Sequence, residues 1–272
     1  MKTVLIIGGN RFVGKALSKV LSDKNYSVDV FNRSATSADS NINIIQGDRN
    51  KTKDIDKIDF TKYDCIVDMC LFSPSQFELI KDKISKDTNY IFVSSGAADY
   101  RYIGEYGDYG MDKLAVEHLL EFSELNYEIV RPSYIVGIGN HRPRLGHYIQ
   151  KICEEKSIKI DGDGSNGINI VFVQDVVKVL EILVGRKNYK NKIFDICGNE
   201  NISIIDIIKK INNYYNRELK FDYNQDDAIL PKNNFTFDNT QTCHNLKIKF
   251  TDFDDGLKQY IEWYGGQNET NL

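Results

Sequence analysis

The apolar positions of this chain follow two periods in turn. Thr3-Val-Leu-Ile-Ile7 is a continuous apolar run rich in β-branched residues, the pattern of a short strand buried on both faces. Gly8-Gly9-Asn10-Arg11-Phe12-Val13-Gly14 follows at once. Val13, Ala16, Leu17, Val20 and Leu21 then recur at three- and four-residue spacing and predict an amphipathic helix. Strand patterns return at residues 27–31, 42–45, 65–69, 90–93 and 127–130. Between them the pattern predicts a short helix or turn over 51–57 and helices over 74–85 and 109–125, with Pro74 at a helix start where its missing N–H costs nothing. Strands alternating with helices at this spacing predict an α/β fold, a doubly wound parallel sheet with right-handed crossovers.

Beyond Arg131-Pro132 the regularity weakens. Helices are expected over 145–155, 176–184, 203–215 (with Ser203 as N-cap) and 255–264, a strand or extended arm over 168–173, and a further strand over 192–196 returning to the sheet. No internal repeat and no linker composition separates the parts. The expected division is a main domain over 1–135, with 168–197 returning to it, and a smaller interleaved C-terminal lobe over 136–167 and 198–272 that would carry the substrate.

The opening strand, glycine turn, helix and second strand form the start of a Rossmann-type dinucleotide-binding domain. Gly8 and Gly9 would let the backbone turn and approach a pyrophosphate, and Gly14 would let the helix pack closely on the sheet. The helix N-terminus then offers free N–H groups to the phosphates. Residues Gly8, Gly9, Asn10, Arg11, Phe12, Val13 and Gly14 are therefore the first candidate cofactor ligands, although Arg11 stands where the three-glycine pattern has its middle glycine. At the end of the second strand an acid would hold the ribose 2′-OH and select NAD. The chain has Asn32-Arg33-Ser34 there, and Asp29 lies inside the strand, too early for that task. Arg33 in a charge-assisted fork, with Arg11 approaching from the glycine turn, would suit a 2′-phosphate. The alternative is that both are solvated surface arginines. The expectation is NADP over NAD.

Composition narrows the classes. The 272 residues are 41% hydrophobic and 27% charged, enough for a sizeable core and ordinary for a globule. A net charge of −4 argues against a nucleic-acid surface. Five dispersed cysteines (65, 70, 153, 197, 243) show no C-x-x-C spacing and predict reduced thiols in the cytoplasm. Histidines 118, 141, 147 and 244 form no ligand pattern, so no metal is expected. No apolar run approaches the ~20 residues of a membrane span. With a strand beginning at Thr3, no signal peptide is expected.

A second constellation follows strand five. Tyr109-Gly-Met-Asp-Lys113 sets two long side chains one helical turn apart on the same face and is the one Y-x-x-x-K match in the chain. Ser95 sits just past the end of strand five, and in a parallel sheet ligands lie at the C-terminal strand ends. Moving a hydride to or from a carbinol carbon requires a proton to join or leave its oxygen. A free tyrosine ionises at pH ~10, and bringing it near 7 takes roughly 4 kcal/mol of phenolate stabilisation. A neighbouring ammonium and an oxidised nicotinamide would supply positive charge for this. Ser95 would orient the substrate oxygen, Tyr109 would be the general acid/base, and Lys113 would be its electrostatic partner, also reaching the nicotinamide ribose.

These segments resemble the short-chain dehydrogenase/reductase superfamily, in its extended, nucleotide-sugar epimerase/dehydratase type. The resemblance covers nearly the whole chain: residues 8–14, Gly47-Asp48 as the adenine-side acid with Arg49 beside it, Ser94-Ser95, Tyr109-Gly110 with Lys113 and Glu117, Arg131-Pro132, Val173-Gln-Asp-Val176, and the ending from Phe253 to Trp263. It implies an NAD(P)-dependent epimerase or oxidoreductase acting on a nucleotide-activated sugar or similar carbonyl or hydroxyl compound, with a homodimer compatible. Arg11 in the middle-glycine slot resembles an atypical branch, some members of which are chloroplast RNA-binding proteins. Pro132-Ser133-Tyr134 lacks the Asn many epimerases use near the substrate, and Ser94-Ser95-Gly96 lacks the acidic pair of sugar 4,6-dehydratases, which disfavours dehydration. The competing reading is a nucleotide-sensing or RNA-associated binding protein with little catalysis. A third is a small-molecule reductase sharing only the fold.

Further expectations attach to single residues. Arg142 and Arg144, in a glycine-bounded loop, would bind a substrate diphosphate or simply face solvent. Asp175 is expected to hold a loop between the lobes, Glu117 to face the helix surface or a subunit contact, and Cys70 to be inert. Tyr100, Tyr102 and Tyr106 would line the substrate lip or pack their own loop.

Overall fold

The computed structural model describes residues 2–34, 41–140, 144–185, 190–224, 230 and 233–268. They fall into two compact units, residues 1–132 with 176–196, and residues 133–175 with 197–272.

The first unit is built on a seven-stranded sheet. In chain order its strands are β1 (Thr3–Ile7), β2 (Ser27–Asn32), β3 (Ile42–Gln46), β4 (Cys65–Asp68), β5 (Asn89–Val93) and β6 (Asn126–Pro132), joined by the strand Lys192–Ile196. The spatial order runs Lys192–Ile196, β6, β5, β4, β1, β2, β3, and every pairing is parallel. The order reverses at β1, so the crevice beyond its C-terminal end, where Gly8 begins the turn, is the topological switch point at which such sheets bind ligands. The central strands are buried on both faces, as their unbroken apolar runs require. Helices α1 (Phe12–Asp23), α2 (Thr52–Ile55), α3 (Pro74–Glu78) and α4 (Asp108–Glu121) lie in the crossovers. One core cluster joins Leu5, Ile66, Tyr90 and Phe92 of the sheet to Phe77, Val116 and Leu120 of the helices.

Two expectations change. The helix expected over 74–85 is the five-residue α3 followed by a 3₁₀ turn, Lys81–Lys83. Phe77, Ile80 and Ile84 are buried all the same, so the three- and four-residue spacing is met without one continuous helix. Residues 168–175, expected in the main domain, belong to the second unit. There Ile170–Phe172 pairs with Tyr134–Val136 in its own small parallel ladder.

The second unit consists of short strand pairs and helices. Gly167–Ile168 pairs antiparallel with Ile202–Ser203, and Ile158–Lys159 pairs parallel with Phe221–Asp222. Its helices are Leu145–Cys153, Ile204–Asn212, Thr240–Leu246 and Phe253–Asn268. Ser203 is the N-cap of Ile204–Asn212, its hydroxyl accepting from the Asp206 N–H. The Asp175 carboxylate accepts from the Thr251 N–H and hydroxyl, both at 3.1 Å, just ahead of the last helix.

Candidate active site

The glycine turn is closely fitted. Gly8 has φ +93° and donates its N–H to the Phe31 carbonyl at 3.0 Å, tying the turn to the end of β2. A Cβ on Gly14 would lie 2.5 Å from the Gly8 carbonyl oxygen, so α1 meets the turn with no room for a side chain. Phe12 enters the helix at φ +43°, a conformation L residues rarely adopt. The helix has no side-chain cap and no acidic residue in its first turn. The Gly14 N–H already donates to the Arg11 carbonyl at 3.0 Å, and the positive end of the helix, with no side-chain cap or acid beside it, fits a pyrophosphate.

At the end of β2 the Asn32 side-chain oxygen accepts from the Ser34 N–H at 3.0 Å, while its Nδ2 is buried with no hydrogen-bond partner. An orphaned donor beside the turn fits a polar ligand such as a ribose or its phosphate. Arg11, Arg33 and Ser34 are exposed. Asp29 is committed elsewhere, to the Tyr63 hydroxyl at 2.6 Å, Lys62 at 3.0 Å and Asn43 at 3.1 Å. Asp48 accepts from the backbone and side chain of Asn50, and the Asn50 N–H holds its carboxyl below the usual range.

Arg49, expected beside the adenine, turns inward instead. Its Nη1 lies 2.6 Å from Asp68 Oδ1 at the end of β4, with Nε and Nη2 buried and lacking an oxygen acceptor. The pair is buried on both sides. Asp68 also accepts from the Tyr90 hydroxyl at 2.9 Å and the Cys70 N–H at 3.2 Å. Burial, then the Asp68 carboxylate, push the Cys70 thiol up to about 11, so it is inert as a nucleophile.

Tyr109 and Lys113 stand one turn apart at the start of α4 and are placed differently. Tyr109 is 42% exposed, with its ring centroid 6.4 Å from that of Phe72. Lys113 is 1% exposed. Its ammonium donates to the Val93 carbonyl at 2.9 Å and lies 4.8 Å from the Phe92 ring centroid, 5.0 Å from Phe72 and 5.9 Å from Tyr109. Burial pulls its pKa down to about 8. Val93 ends β5, so Lys113 is anchored two residues before Ser95. Ser95 caps the 3₁₀ turn Gly96–Ala98, accepting from the Ala97 N–H at 3.2 Å. That turn carries α4: a Cβ on Gly110 would lie 2.4 Å from the Ala97 carbonyl oxygen. Lys113 and Gly110 thereby seat the start of α4 against the last residue of β5 and the turn that Ser95 caps.

Two buried acids, Asp68 and Glu117, were not placed by the sequence. Glu117, expected on the surface, is 1% exposed. Its carboxylate accepts from both Nε and Nη2 of Arg131 on β6, with Nε 3.0 Å from each oxygen, and from the Ser94 hydroxyl at 2.5 Å. The available signal was position: Glu117 is four residues from Lys113 and eight from Tyr109, on their helix face.

Of the tyrosines between Ala97 and Asp108, one reaches helix α4 and one is buried. Tyr100 is exposed and hydrogen-bonds His118 Nε2 at 2.7 Å, and Tyr102 is buried. In the second unit the Arg144 guanidinium stacks 4.0 Å from the Tyr134 ring centroid. Arg142 lies outside the described residues. Among the described residues no cluster could hold a metal ion, and no helix is long and apolar enough to cross a membrane.

Comparison with known proteins adds a family. The model of the NAD dependent epimerase/dehydratase family matches residues 4–78 and 93–197. The chloroplast stem-loop binding protein of 41 kDa b from Arabidopsis thaliana is 24% identical over 76% of this chain, which spans 62% of that relative's length. A UDP-glucose 4-epimerase from Thermotoga maritima, solved with UDP-glucose, superposes with a TM-score of 0.81 at 17% identity, over 97% of this chain and 99% of that one. A UDP-glucuronic acid 4-epimerase from Bacillus cereus, in complex with UDP-glucuronic acid and NAD, gives 0.78 at 18% identity over 97% and 99%.

Proposed function

Because the chain belongs to the NAD dependent epimerase/dehydratase family, we propose that it is an NAD(P)-dependent epimerase or oxidoreductase acting on a nucleotide-activated sugar or similar compound through Ser95, Tyr109 and Lys113. The observation that carries this reading is the anchoring of α4. Lys113 is tied to the last residue of β5 and Gly110 seats the helix on the Ser95-capped turn. A bound nicotinamide dinucleotide supplies the hydride acceptor and donor. Tyr109, the exposed member, takes the proton from the substrate hydroxyl as it is oxidised and returns it on reduction. The Lys113 ammonium stabilises the phenolate that forms. Ser95 orients the substrate oxygen.

The turn of residues 8–14 would hold the pyrophosphate, and Asn32, Arg33, Ser34 and Asp48 the adenosine side. Two exposed arginines, Arg11 and Arg33, and, among the described residues, no free acid at the end of β2 favour NADP over NAD. Arg144, stacked on Tyr134, is assigned to the substrate diphosphate together with Arg142. The second unit is accordingly the substrate lobe. Met111 on α4 and Phe122 at its end are exposed apolar residues that a second copy of the chain would cover, which supports a homodimer. Five free thiols suit the reducing cytoplasm.

Tyr109→Phe is expected to lower turnover on the responsive sugar nucleotide by about 10²–10⁴-fold while NADP still raises the melting temperature. An unchanged rate overturns the assignment. Salt-dependent RNA retention without turnover on any sugar nucleotide would favour the RNA-associated alternative. Net release of oxidised or reduced cofactor with each turnover would mark a reductase rather than an epimerase.

A further inference from the structure

Lys113 is a buried cation whose hydrogen bond runs to a carbonyl, a group with no net charge, among three aromatic rings. Cation–π contacts alone do not repay full desolvation of an ammonium. Two carboxylates share its layer. Glu117 is engaged by both Nε and Nη2 of Arg131 and by Ser94. Asp68 is engaged by one guanidinium nitrogen, one phenol and one amide. Register places Asp68 directly opposite Phe92 in the β4–β5 ladder, so both side chains leave the same sheet face, and the Lys113 ammonium lies over the Phe92 ring.

We propose that Asp68, fixed by Arg49 and Tyr90, is the buried counter-charge of Lys113 and hence a positioning residue for the Tyr109–Lys113 pair. This rests on the role given to that pair above. The charged and titratable groups facing Lys113 are Asp68 from β4, Arg49 from the turn after β3, Cys70 just beyond β4, and Glu117 and Tyr109 from its own helix. Asp68 opposes the effect of burial, and Arg49 works against the ammonium. The opposed signs make the role separable from simple packing.

The test is an NMR titration of the Lys113 side chain in the full chain, assigned with Lys113→Arg. Asp68→Asn is expected to move the midpoint down by about one pH unit. Arg49→Met is expected to move it up, because a positive neighbour is removed and the carboxylate kept. Tyr90→Phe removes a hydrogen bond but no charge and should leave the midpoint in place. An unmoved midpoint in Asp68→Asn, the same direction in both charge variants, or an equal shift in Tyr90→Phe overturns the proposal. Should Asp68→Asn fail to fold, Arg49→Met decides by sign: upward supports, downward or unmoved overturns. None of these readings depends on turnover, so an unchanged rate in Tyr109→Phe would remove the proposed function and leave the electrostatic assignment standing.

Discussion

Two buried ion pairs lie in the layer beneath α4, and they are satisfied to different degrees. Glu117–Arg131 is saturated on its acidic side: Arg131 presents two nitrogens and Ser94 adds a third donor. Arg49–Asp68 is saturated on its acidic side but not on its basic side, where two guanidinium nitrogens lack an oxygen acceptor. The first pair joins a helix to the ends of two strands and fixes where α4 sits. The second joins a turn to β4 and, through the Tyr90 hydroxyl, to β5, but it leaves α4 free of direct bonds, so its influence on Lys113 is through charge. A closed pair sets geometry, whereas a partly open one sets the field.

The largest way to break the contrast is Glu117→Ala, which strands the Arg131 cation. Unfolding free energy from urea titration should fall by about 3–5 kcal/mol. A loss under ~1 kcal/mol would show that α4 is held by other contacts. Next comes Lys113→Met. In the native state burial lowers the Lys113 pKa from 10.5 to about 8, so between those values the unfolded chain binds more protons and stability rises with pH. Relative to the Met variant, the parent should gain about 1.4 kcal/mol per pH unit across pH 8–10.5; a flat difference would mean the ammonium is not buried in solution. The smallest effect is expected for Arg49→Met with Asp68→Leu. Replacing a whole buried pair by apolar residues should leave stability within about 1 kcal/mol of the parent. A double variant as unstable as Glu117→Ala would make the two pairs equivalent.

The fold was legible because its signals are local. The apolar run of β1, the glycine turn and the helical spacing of α1 lie within one short stretch, as do Ser95, Tyr109 and Lys113. Even Ser203 declared its capping role from its place before an apolar-periodic run. The polar layer was not legible, because its partners meet only through sheet register. Arg49 and Asp68 come together through the strand order β4-β1-β2-β3, and Glu117 meets Arg131 across the α4–β6 connection. A charge in a one-dimensional chain reads as solvated. The signal that would have found Asp68 is its position as an acid at the end of a wholly buried strand, Cys65–Asp68. Arg49 was read with its neighbour Asp48, yet adjacent residues here point to opposite fates: Asp48 binds its own turn, and Arg49 enters the core.

The chain leaves the sheet after Pro132 and supplies the strand that covers β6 only at Lys192–Ile196. On the ribosome, at about 5–20 residues per second, this interval lasts roughly 3–12 seconds. Throughout it β6 presents an unpaired edge, Asn126-Tyr-Glu-Ile-Val130, to any extended peptide nearby. A fragment ending at residue 132 keeps that edge open permanently. Such truncation products should require chaperone protection and enter inclusion bodies, and the 272-residue chain should become resistant once residue 196 has emerged and paired.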